Sequence, residues 1–198
     1  MTRTTYYTAT TLDGFLADEH DSLDWLFTQE IDEKGPMNYD DFYARIGALA
    51  MGATTYEWIV DHMASTGEEW AYQEPSWVFT HRDLAPVADG VTFTSAPVAD
   101  VHAAMVEAAD GRDLWVVGGG DLAAQFAEQG LLDDVVVSIA PVTLGAGRPL
   151  FPRPFDLRLV EHDRNGAFLC ARYEVVGPRG NGHGAGRASV TEGLSPNS

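Results

Sequence analysis

The sequence predicts a single mixed α/β domain whose largely parallel sheet is covered by helices on both faces. Strand-like apolar runs alternate with helical patterns along most of the chain, which is typical of this class. The last two long strand-like runs are joined through Asn165-Gly166, a dipeptide typical of tight hairpins. A length of 198 residues with 45% hydrophobic side chains is enough for one core. We therefore expect one domain over residues 1–177 with an antiparallel pair of strands at its C-terminal end.

The first half of the chain sets up this alternation. Thr4 to Thr11 is rich in β-branched and aromatic residues and ends at an Asp-Gly turn, which indicates a strand. Residues 38–49 carry apolar side chains at spacings of four and three, which predicts a helix, and a short apolar run then closes at Gly52. The next helix is expected to begin at a capping box, with Thr54 as N-cap and Glu57 reaching back to it.

The second half continues the same pattern. Ser95 and Pro97 open a helix whose apolar positions extend to Ala108, and three consecutive glycines lead into a helix over residues 122–127. Residues 178–198 are rich in glycine, serine and asparagine, so they leave little to bury and predict a flexible tail. The strands are expected at residues 77–80, 91–94, 114–117, 135–142, 155–162 and 168–176.

The net charge limits the partners that the protein can have. Thirty acidic side chains against twelve basic ones give a formal charge of −18. Such a field repels nucleic acid and anionic membranes, so neither is expected as a partner. Between Asp13 and Glu74 fifteen carboxylates face only Lys34 and Arg45, and we interpret most of them as a solvated surface. An anionic ligand must then be held by something other than an excess of basic side chains.

Cysteine, histidine and hydropathy patterns exclude further classes. The single cysteine, Cys170, lies in an apolar run, which excludes an intramolecular disulfide and predicts a buried thiol in a reducing compartment. No run approaches the roughly 20 apolar residues of a membrane span, and the first residues lack the features of a signal peptide, so we expect a cytoplasmic protein. The six histidines include no close metal-ligand pair, and no metal is predicted.

The most informative stretch is a buried strand that passes through Gly118, Gly119 and Gly120 directly into a helix. Without Cβ atoms the backbone can approach a ligand closely, and the unpaired N–H groups at a helix N-terminus favour a phosphate. The pattern is not the GxGxxG dinucleotide fingerprint, which fails at Ala123, and it is not a P-loop. A tight strand-to-helix turn without any ligand is the alternative interpretation.

A second junction has the same design. The run MGATTYE takes a strand through Gly52 into a helix, and it places the hydroxyls of Thr54 and Thr55 at the helix N-terminus. An ordinary N-cap would have the same sequence. Two strand–glycine–helix junctions in one small domain suit a ligand with several phosphates, such as a dinucleotide.

A third candidate segment follows the strand predicted at residues 77–80. It comprises Thr80, His81 and Arg82. The guanidinium of Arg82 can pair with a phosphate or stack on an adenine ring, and the alternative is a solvated surface arginine.

Four motifs in fixed order make the chain resemble the dihydrofolate reductase-like superfamily, and within it the stand-alone relatives of the riboflavin-biosynthesis reductase domain. They span about residues 4–177, and the ordered set is specific although each motif alone is short. The motifs are TLDGFLA at residues 11–17, similar to SLDGxIA and followed by LDWL at 23–26; MGATTYE at 51–57, similar to MGRxTYE; VGGGDLAAQF at 117–126, similar to VGGGxLxxxF; and IAPVTLGAGRPLF at 139–151, similar to APVxLGxGxPLF.

The resemblance implies a dihydrofolate reductase-like three-layer fold, NADPH as hydride donor and, often, a homodimer. It places Asp13 and the loop to Ala17 over the nicotinamide, beside the substrate. The two glycine junctions would meet the diphosphate and the nicotinamide half, and the third segment the adenosine end. Carried over by position, the cofactor-binding residues are Gly52, Thr54, Thr55, Thr80, His81, Arg82, Gly118, Gly119, Gly120, Asp121 and Leu122.

The chain departs from the family pattern in two places. Ala53 stands where the family often has an arginine that can bind the 2′-phosphate of NADPH, so NADH stays open as an alternative donor. Residues 59–67 do not match the Asp-Asp-Pro-type substrate segment of the riboflavin enzymes, which argues against the riboflavin intermediate as substrate.

Several residues are candidates for handling the substrate and its proton. Dihydrofolate reductases hold the pterin with a helix carboxylate, and Asp40 lies in roughly that place. Asp13 is the second catalytic candidate, and Asp24 and Asp41 are alternatives. Trp25 is expected either to stack on a flat heterocycle or to be a core aromatic.

Three functions remain open at this point. The first is an NAD(P)H-dependent reductase of a small flat heterocycle, pterin- or pyrimidine-like. The second is the 5-amino-6-(5-phosphoribosylamino)uracil reductase step of riboflavin biosynthesis. The third is a nucleotide-binding or dimeric interaction module without turnover. Binding of NADPH or NADH distinguishes both reductases from a module that binds no nucleotide. Turnover distinguishes the reductases from a module that binds a nucleotide without reacting.

Overall fold

Ten strands and five helices follow one another along residues 2–180, the part of the chain that this computed structural model describes. The helices are α1 (Asp24–Phe27), α2 (Tyr39–Tyr43), α3 (Ala53–Thr66), α4 (Val98–Ala108) and α5 (Gly120–Glu128). The strands are β1 (Thr4–Thr11), β2 (Phe15–Ala17), β3 (Ile46–Gly52), β4 (Ser76–Phe79), β5 (Val91–Thr94), β6 (Asp113–Gly118), β7 (Asp134–Ala140), β8 (Arg148–Pro149), β9 (Phe155–Asn165) and β10 (Phe168–Pro178).

Eight of these strands form one sheet in the order β5-β4-β3-β6-β1-β7-β10-β9. The first six are parallel to one another, whereas β10 is antiparallel to both β7 and β9. Strands β2 and β8 pair separately as a small antiparallel ribbon. The predicted α/β class, with a mostly parallel sheet and an antiparallel C-terminal hairpin, is confirmed.

The helices cover both faces of the sheet and make three layers. On one face α4 and α5 pack against the central strands, with Met105 and Phe126 fully buried in the main core. On the other face α2 and α3 cover the sheet through smaller clusters around Phe42 and Tyr56. Successive strand residues therefore point into different cores, as Trp115 and Val116 do on β6.

The helix predicted over residues 38–49 is wrong in its second half. Helix α2 ends at Tyr43, and Ile46 and Leu49 lie in β3. Strand β3 has six buried residues in succession because it is central in a parallel sheet that is covered on both faces. Such a strand has a continuous apolar run, which a short sequence window does not distinguish from a buried helix.

The capping box is also wrong. Gly52 is the N-cap of α3, and no side chain caps this helix. Glu57 does not reach back to the helix start, since its carboxylate pairs with the guanidinium of Arg82 at 2.7 Å. A guanidinium that makes two charge-assisted contacts competes well with a single backbone N–H for the carboxylate.

The C-terminal hairpin extends further than predicted. Asn165 pairs with Phe168, so Gly166 and Ala167 form the two-residue turn, and Gly166 has a positive φ of 58° at its first position, where hairpin turns favour glycine. Strand β10 continues to Pro178, and the N–H of Arg179 donates to the carbonyl of Pro154 at 3.0 Å. The remainder of the predicted tail, residues 181–198, lies outside the described residues.

Two expectations from composition can be compared with the described residues. Cys170 on β10 is buried, with 1% of its surface exposed, which confirms the interpretation of a buried thiol. None of the helices within residues 2–180 combines the length and apolar character that a membrane crossing needs.

Candidate functional site

A cavity of about 600 Å³ lies at the carboxyl ends of the central parallel strands. Thr8 of β1, Gly52 of β3 and Gly118 of β6 line it, together with the first residues of α3 and α5. Open α/β sheets bind their ligands at this edge, and cofactor sites have volumes of about 300–1,000 Å³. Position and size are those of a small-molecule or cofactor site.

Two helix N-termini meet in this cavity. Strands β3 and β6 are neighbours, with Met51 opposite Gly118, so the helices that follow them begin side by side. Gly52 caps α3 and Gly119 caps α5, and neither helix has a side-chain cap. The N–H groups of both first turns are therefore left for a ligand, and the helix dipoles favour a negative one.

The glycines at these junctions have different surroundings. A Cβ added at Gly119 would meet no atom within 4 Å, and one at Gly52 would meet only backbone atoms at 3.8 Å or more. At Gly118 the added atom would lie 3.1 Å from the hydroxyl of Thr55. At Gly120 it would lie against the backbone of Leu150, 2.9 Å from the carbonyl carbon. Gly119 thus leaves open space in front of the backbone, Gly52 lies in van der Waals range of the neighbouring junction, and Gly120 allows close packing.

Ten of the predicted site residues line this cavity. They come from both glycine junctions and from the segment around β2 and α1, which the chain order separates widely. The ten are Ala17, Trp25, Gly52, Thr54, Thr55, Gly118, Gly119, Gly120, Asp121 and Leu122. Their assignment to the cofactor or the substrate stays a prediction.

The segment Thr80-His81-Arg82 lies outside the cavity lining, just beyond the end of β4. The guanidinium of Arg82 makes two contacts to the carboxylate of Glu57, at 2.7 and 2.8 Å. Both side chains are partly exposed to solvent. The positive charge that was expected for a phosphate is therefore already paired at the first turns of α3.

Asp13 also lies outside the lining of the cavity, and its carboxylate holds a neighbouring loop. It accepts hydrogen bonds from the Thr11 hydroxyl at 2.6 Å and from the N–H groups of Leu144 and Gly145 at 3.0 and 2.7 Å. These bonds, the Thr11 one first, hold the pKa of Asp13 below its usual value. A carboxylate that is kept ionised in this way suits a positioning role and not the donation of a proton.

Asp13→Asn is expected to loosen the loop at Leu144 and Gly145. Because the pKa of Asp13 is lowered from 3.8, its contribution to stability is complete well above that pH and is lost as the pH falls through the folded-state value. Hydrogen exchange of the two loop amides at pH 7 should be faster in the variant. Thermal unfolding of variant and parent should differ at pH 7 and converge on acidification; a constant difference across this range would contradict the role.

Asp40, a catalytic candidate, and Trp25, expected to stack on the substrate or to be a core aromatic, lie in different places relative to the cavity. Asp40 is exposed on α2 and does not line the cavity, so the structure does not bring it to the site. Trp25 is 8% exposed, and its indole N–H donates to the carbonyl of Leu16 at 3.2 Å. It is at once a core aromatic and part of the cavity wall.

The structure adds cavity residues that the sequence interpretation missed. Arg148 of β8 forms a bidentate pair with Asp21, at 2.6 and 3.0 Å, and both line the cavity. Thr8 and Trp58 line it as well. Trp58 follows Thr54 by one helical turn, and this spacing was a signal for a shared face. The carboxylate of Asp121, also in the wall, pairs with Arg153 at 2.8 Å, so the uncompensated groups that remain are the helix N-termini.

Comparisons with known proteins agree with this geometry. The family model of the RibD C-terminal domain matches residues 4–170. The uncharacterized protein YwjB of Bacillus subtilis is 32% identical over 150 residues, which cover 75% of this chain and 82% of that protein. The riboflavin biosynthesis protein RibD of Corynebacterium ammoniagenes is 28% identical, and the match covers 83% of this chain but 49% of that longer protein.

Solved structures show the same architecture. A putative riboflavin biosynthesis protein from Shewanella has a TM-score of 0.73 at 24% identity, covering 87% of this chain and 98% of that one. A deaminase/5-amino-6-(5-phosphoribosylamino)uracil reductase from Thermotoga maritima has a TM-score of 0.58 at 15% identity, covering 88% of this chain and 56% of that one. The chain belongs to the RibD C-terminal domain family and has its dihydrofolate reductase-like fold.

Proposed function

We propose that the protein is an NAD(P)H-dependent reductase that transfers a hydride to a small flat heterocycle. The observation that carries this proposal is the pair of helix N-termini without side-chain caps, α3 and α5, that meet in the cavity with open space in front of Gly119. Backbone amides can hold a diphosphate there without any basic side chain. This explains how a chain of charge −18 accommodates an anionic cofactor.

The residues of the cavity would have different roles in binding the dinucleotide. The N–H groups of the two first turns would hold the diphosphate, and the hydroxyls of Thr54 and Thr55 would add donors beside it. Leu122 and Trp25 would form part of the apolar wall beside the reacting ring. When bound, the dinucleotide supplies the hydride.

The proton that accompanies the hydride needs a separate source. The two carboxylates that line the cavity, Asp21 and Asp121, are each paired with an arginine. The carboxylates named from the sequence, Asp13, Asp24, Asp40 and Asp41, do not line the cavity. We therefore propose that water delivers the proton through the mouth of the cavity, in place of the carboxylates first considered.

Titration with NADPH and with NADH tests the proposal. A ligand at 100 times its Kd stabilises the folded state by about 2.7 kcal/mol, which raises the melting temperature measurably. Nicotinamide fluorescence provides an independent binding signal. Absence of binding by both nucleotides would refute the reductase function. Binding without turnover of any pterin or pyrimidine would instead support an interaction module.

The riboflavin reduction is the second candidate, and the family match favours it. The RibD relative is named a riboflavin biosynthesis protein, and the name of the Thermotoga enzyme includes the uracil reductase. Residues 59–67, which include the end of α3, lack the expected substrate segment. An assay with 5-amino-6-(5-phosphoribosylamino)uracil distinguishes the two: steady turnover would establish the pathway reaction, and its absence alongside NADPH binding would favour another heterocycle.

Glu57→Gln is expected to increase the preference for NADPH over NADH several-fold. The change removes the carboxylate that pairs with Arg82 and frees the guanidinium for a 2′-phosphate at the adenosine end. The ratio of the two dissociation constants measures this effect. Arg82→Gln is the matched control, because it should leave NADH binding unchanged and abolish any gain in the double variant. A ratio unaffected by Glu57→Gln would place the 2′-phosphate elsewhere.

We further propose a cytoplasmic homodimer. Strand β9 is at the edge of the sheet, and Leu157, Leu159 and Val160 on it are 38–51% exposed. An exposed apolar edge strand is a surface that a second copy can cover. Light scattering coupled to size exclusion should give twice the mass of the chain, and a monomer at micromolar concentration would refute this part of the proposal.

A further inference from the structure

A second cavity, of about 350 Å³, opens between α1 and α3. Leu23 and Trp58 line both this cavity and the main one, so the two spaces adjoin. We propose, on the basis of the reductase function above, that this second cavity is the substrate subsite and takes a flat, amino-substituted heterocycle that carries no phosphate. Its volume is at the lower end of the range for small-molecule sites, about 300–1,000 Å³, and suits one or two fused rings.

The wall of the second cavity contains three aromatic rings in nearly parallel planes. Trp58 and His62 lie one turn apart on α3, with ring centroids 4.9 Å apart and planes within 12°. Phe27 of α1 adds a third ring, 5.7 Å from His62 and within 3° of its plane. Phe27 keeps 60% of its surface exposed, so the stack retains ring surface on which another planar ring can stack.

The charge of the second cavity further limits the kind of ligand that it can bind. Asp24 and Asp61 line it together with His62, and within residues 2–180 no lysine or arginine does. Within residues 2–180 neither carboxylate has a hydrogen-bonding or ion-pair partner, so both remain acceptors for a ligand. Ionised carboxylates accept hydrogen bonds from amino groups and from protonated ring nitrogens, and they repel phosphate.

The two adjoining cavities therefore have opposite electrostatic preferences. The helix N-termini of the main cavity favour an anion, whereas the carboxylates of the second disfavour one. This arrangement would let a polyanionic dinucleotide and a neutral or cationic acceptor meet at the shared edge, at Leu23 and Trp58, while each keeps surroundings that suit its charge. The substrate named for the Thermotoga enzyme carries a phosphoribosyl group, and within residues 2–180 the second cavity has no lysine or arginine to hold such a group.

Calorimetric titration of the NADPH-saturated protein with diaminopteridine, and with uridine monophosphate as the phosphorylated counter-probe, tests the inference, because the dinucleotide then occupies the helix N-termini that would otherwise bind a phosphate. The parent protein is expected to bind diaminopteridine and to bind the nucleotide at least tenfold more weakly. The double variant Asp24→Asn/Asp61→Asn should weaken diaminopteridine binding by tenfold or more, and Phe27→Leu by several-fold. Asp89→Asn, the same change at an exposed carboxylate that lines neither cavity, should have no effect.

The affinity for NADPH, measured in the same proteins, separates this inference from the proposed function. Neither Asp24, Asp61 nor Phe27 lines the main cavity, so NADPH binding should be unchanged in these variants. Unaltered diaminopteridine binding in the double variant, no binding to the parent, or equal affinity for uridine monophosphate would overturn the assignment of the subsite. Failure of the parent protein to bind NADPH would instead overturn the reductase function.

Discussion

Gly119→Val is expected to abolish NADPH binding while the domain remains folded. The backbone at Gly119 is extended, with φ −88° and ψ −176°, a conformation that valine adopts readily. A Cβ added there meets no protein atom within 4 Å, so the new side chain projects into the space in front of the α5 amides. Blocking that approach should raise the Kd for NADPH at least 100-fold, a loss of about 2.7 kcal/mol of binding free energy.

A size series at the same position makes this prediction specific. Gly119→Ala adds one carbon and should weaken binding less than Gly119→Val does. Gly180→Val is a matched control, because its added side chain also meets nothing and lies away from the cavity. Melting temperatures in the absence of ligand should stay close to that of the parent for all three. Unchanged affinity in Gly119→Val would mean that the dinucleotide does not approach α5.

The fold could be predicted from the sequence because its local signals agree with one another. The strand of Thr4 to Thr11, the helix after Pro97 and the hairpin at Asn165-Gly166 each form where the pattern indicated them. Residues 46–49 were misassigned because a strand buried on both faces loses the alternation that distinguishes it. The short β2, β8 and α1 carry too few residues for any periodicity to register.

The parts of the candidate site that depend on the local backbone could be predicted from the sequence. The parts that depend on pairing between distant residues were missed. Glycines and helix starts are local features, and both junctions lie in the cavity. The pairing of Arg82 with Glu57, and of Asp13 with the Leu144 amide, depends on residues far away in the chain. No short-range pattern encodes such partners. Charged residues were therefore the least predictable part of the site.

Gly120→Ala is expected to destabilise the fold, in contrast to substitutions at its neighbour. Gly120 is buried as the first residue of α5, and an added Cβ would lie inside contact distance of the carbonyl oxygens of Pro149 and Leu150. Alanine in a helix gains up to about 1 kcal/mol over glycine. Overpacking against a backbone costs about 1–3 kcal/mol, occasionally more, and we expect it to dominate. A net loss of about 2 kcal/mol corresponds to roughly 4–8 °C in melting temperature for a chain of this size.

The two glycines together separate packing from ligand access. At Gly120 the neighbours are main-chain atoms of the segment that follows β8, which cannot rotate away as a flexible side chain would. Relief requires α5 to move from residues 149–150, so the helix N-terminus at Gly119 should shift and NADPH affinity should fall together with stability. Thermal unfolding and NADPH titration of Gly120→Ala, with Gly180→Ala as the same change in open space, measure both effects. If Gly120→Ala had the same melting temperature as the parent, the segment at residues 149–150 would move aside at no measurable cost. The position of α5 would then be fixed by the packing of its buried residues Ala123 and Phe126.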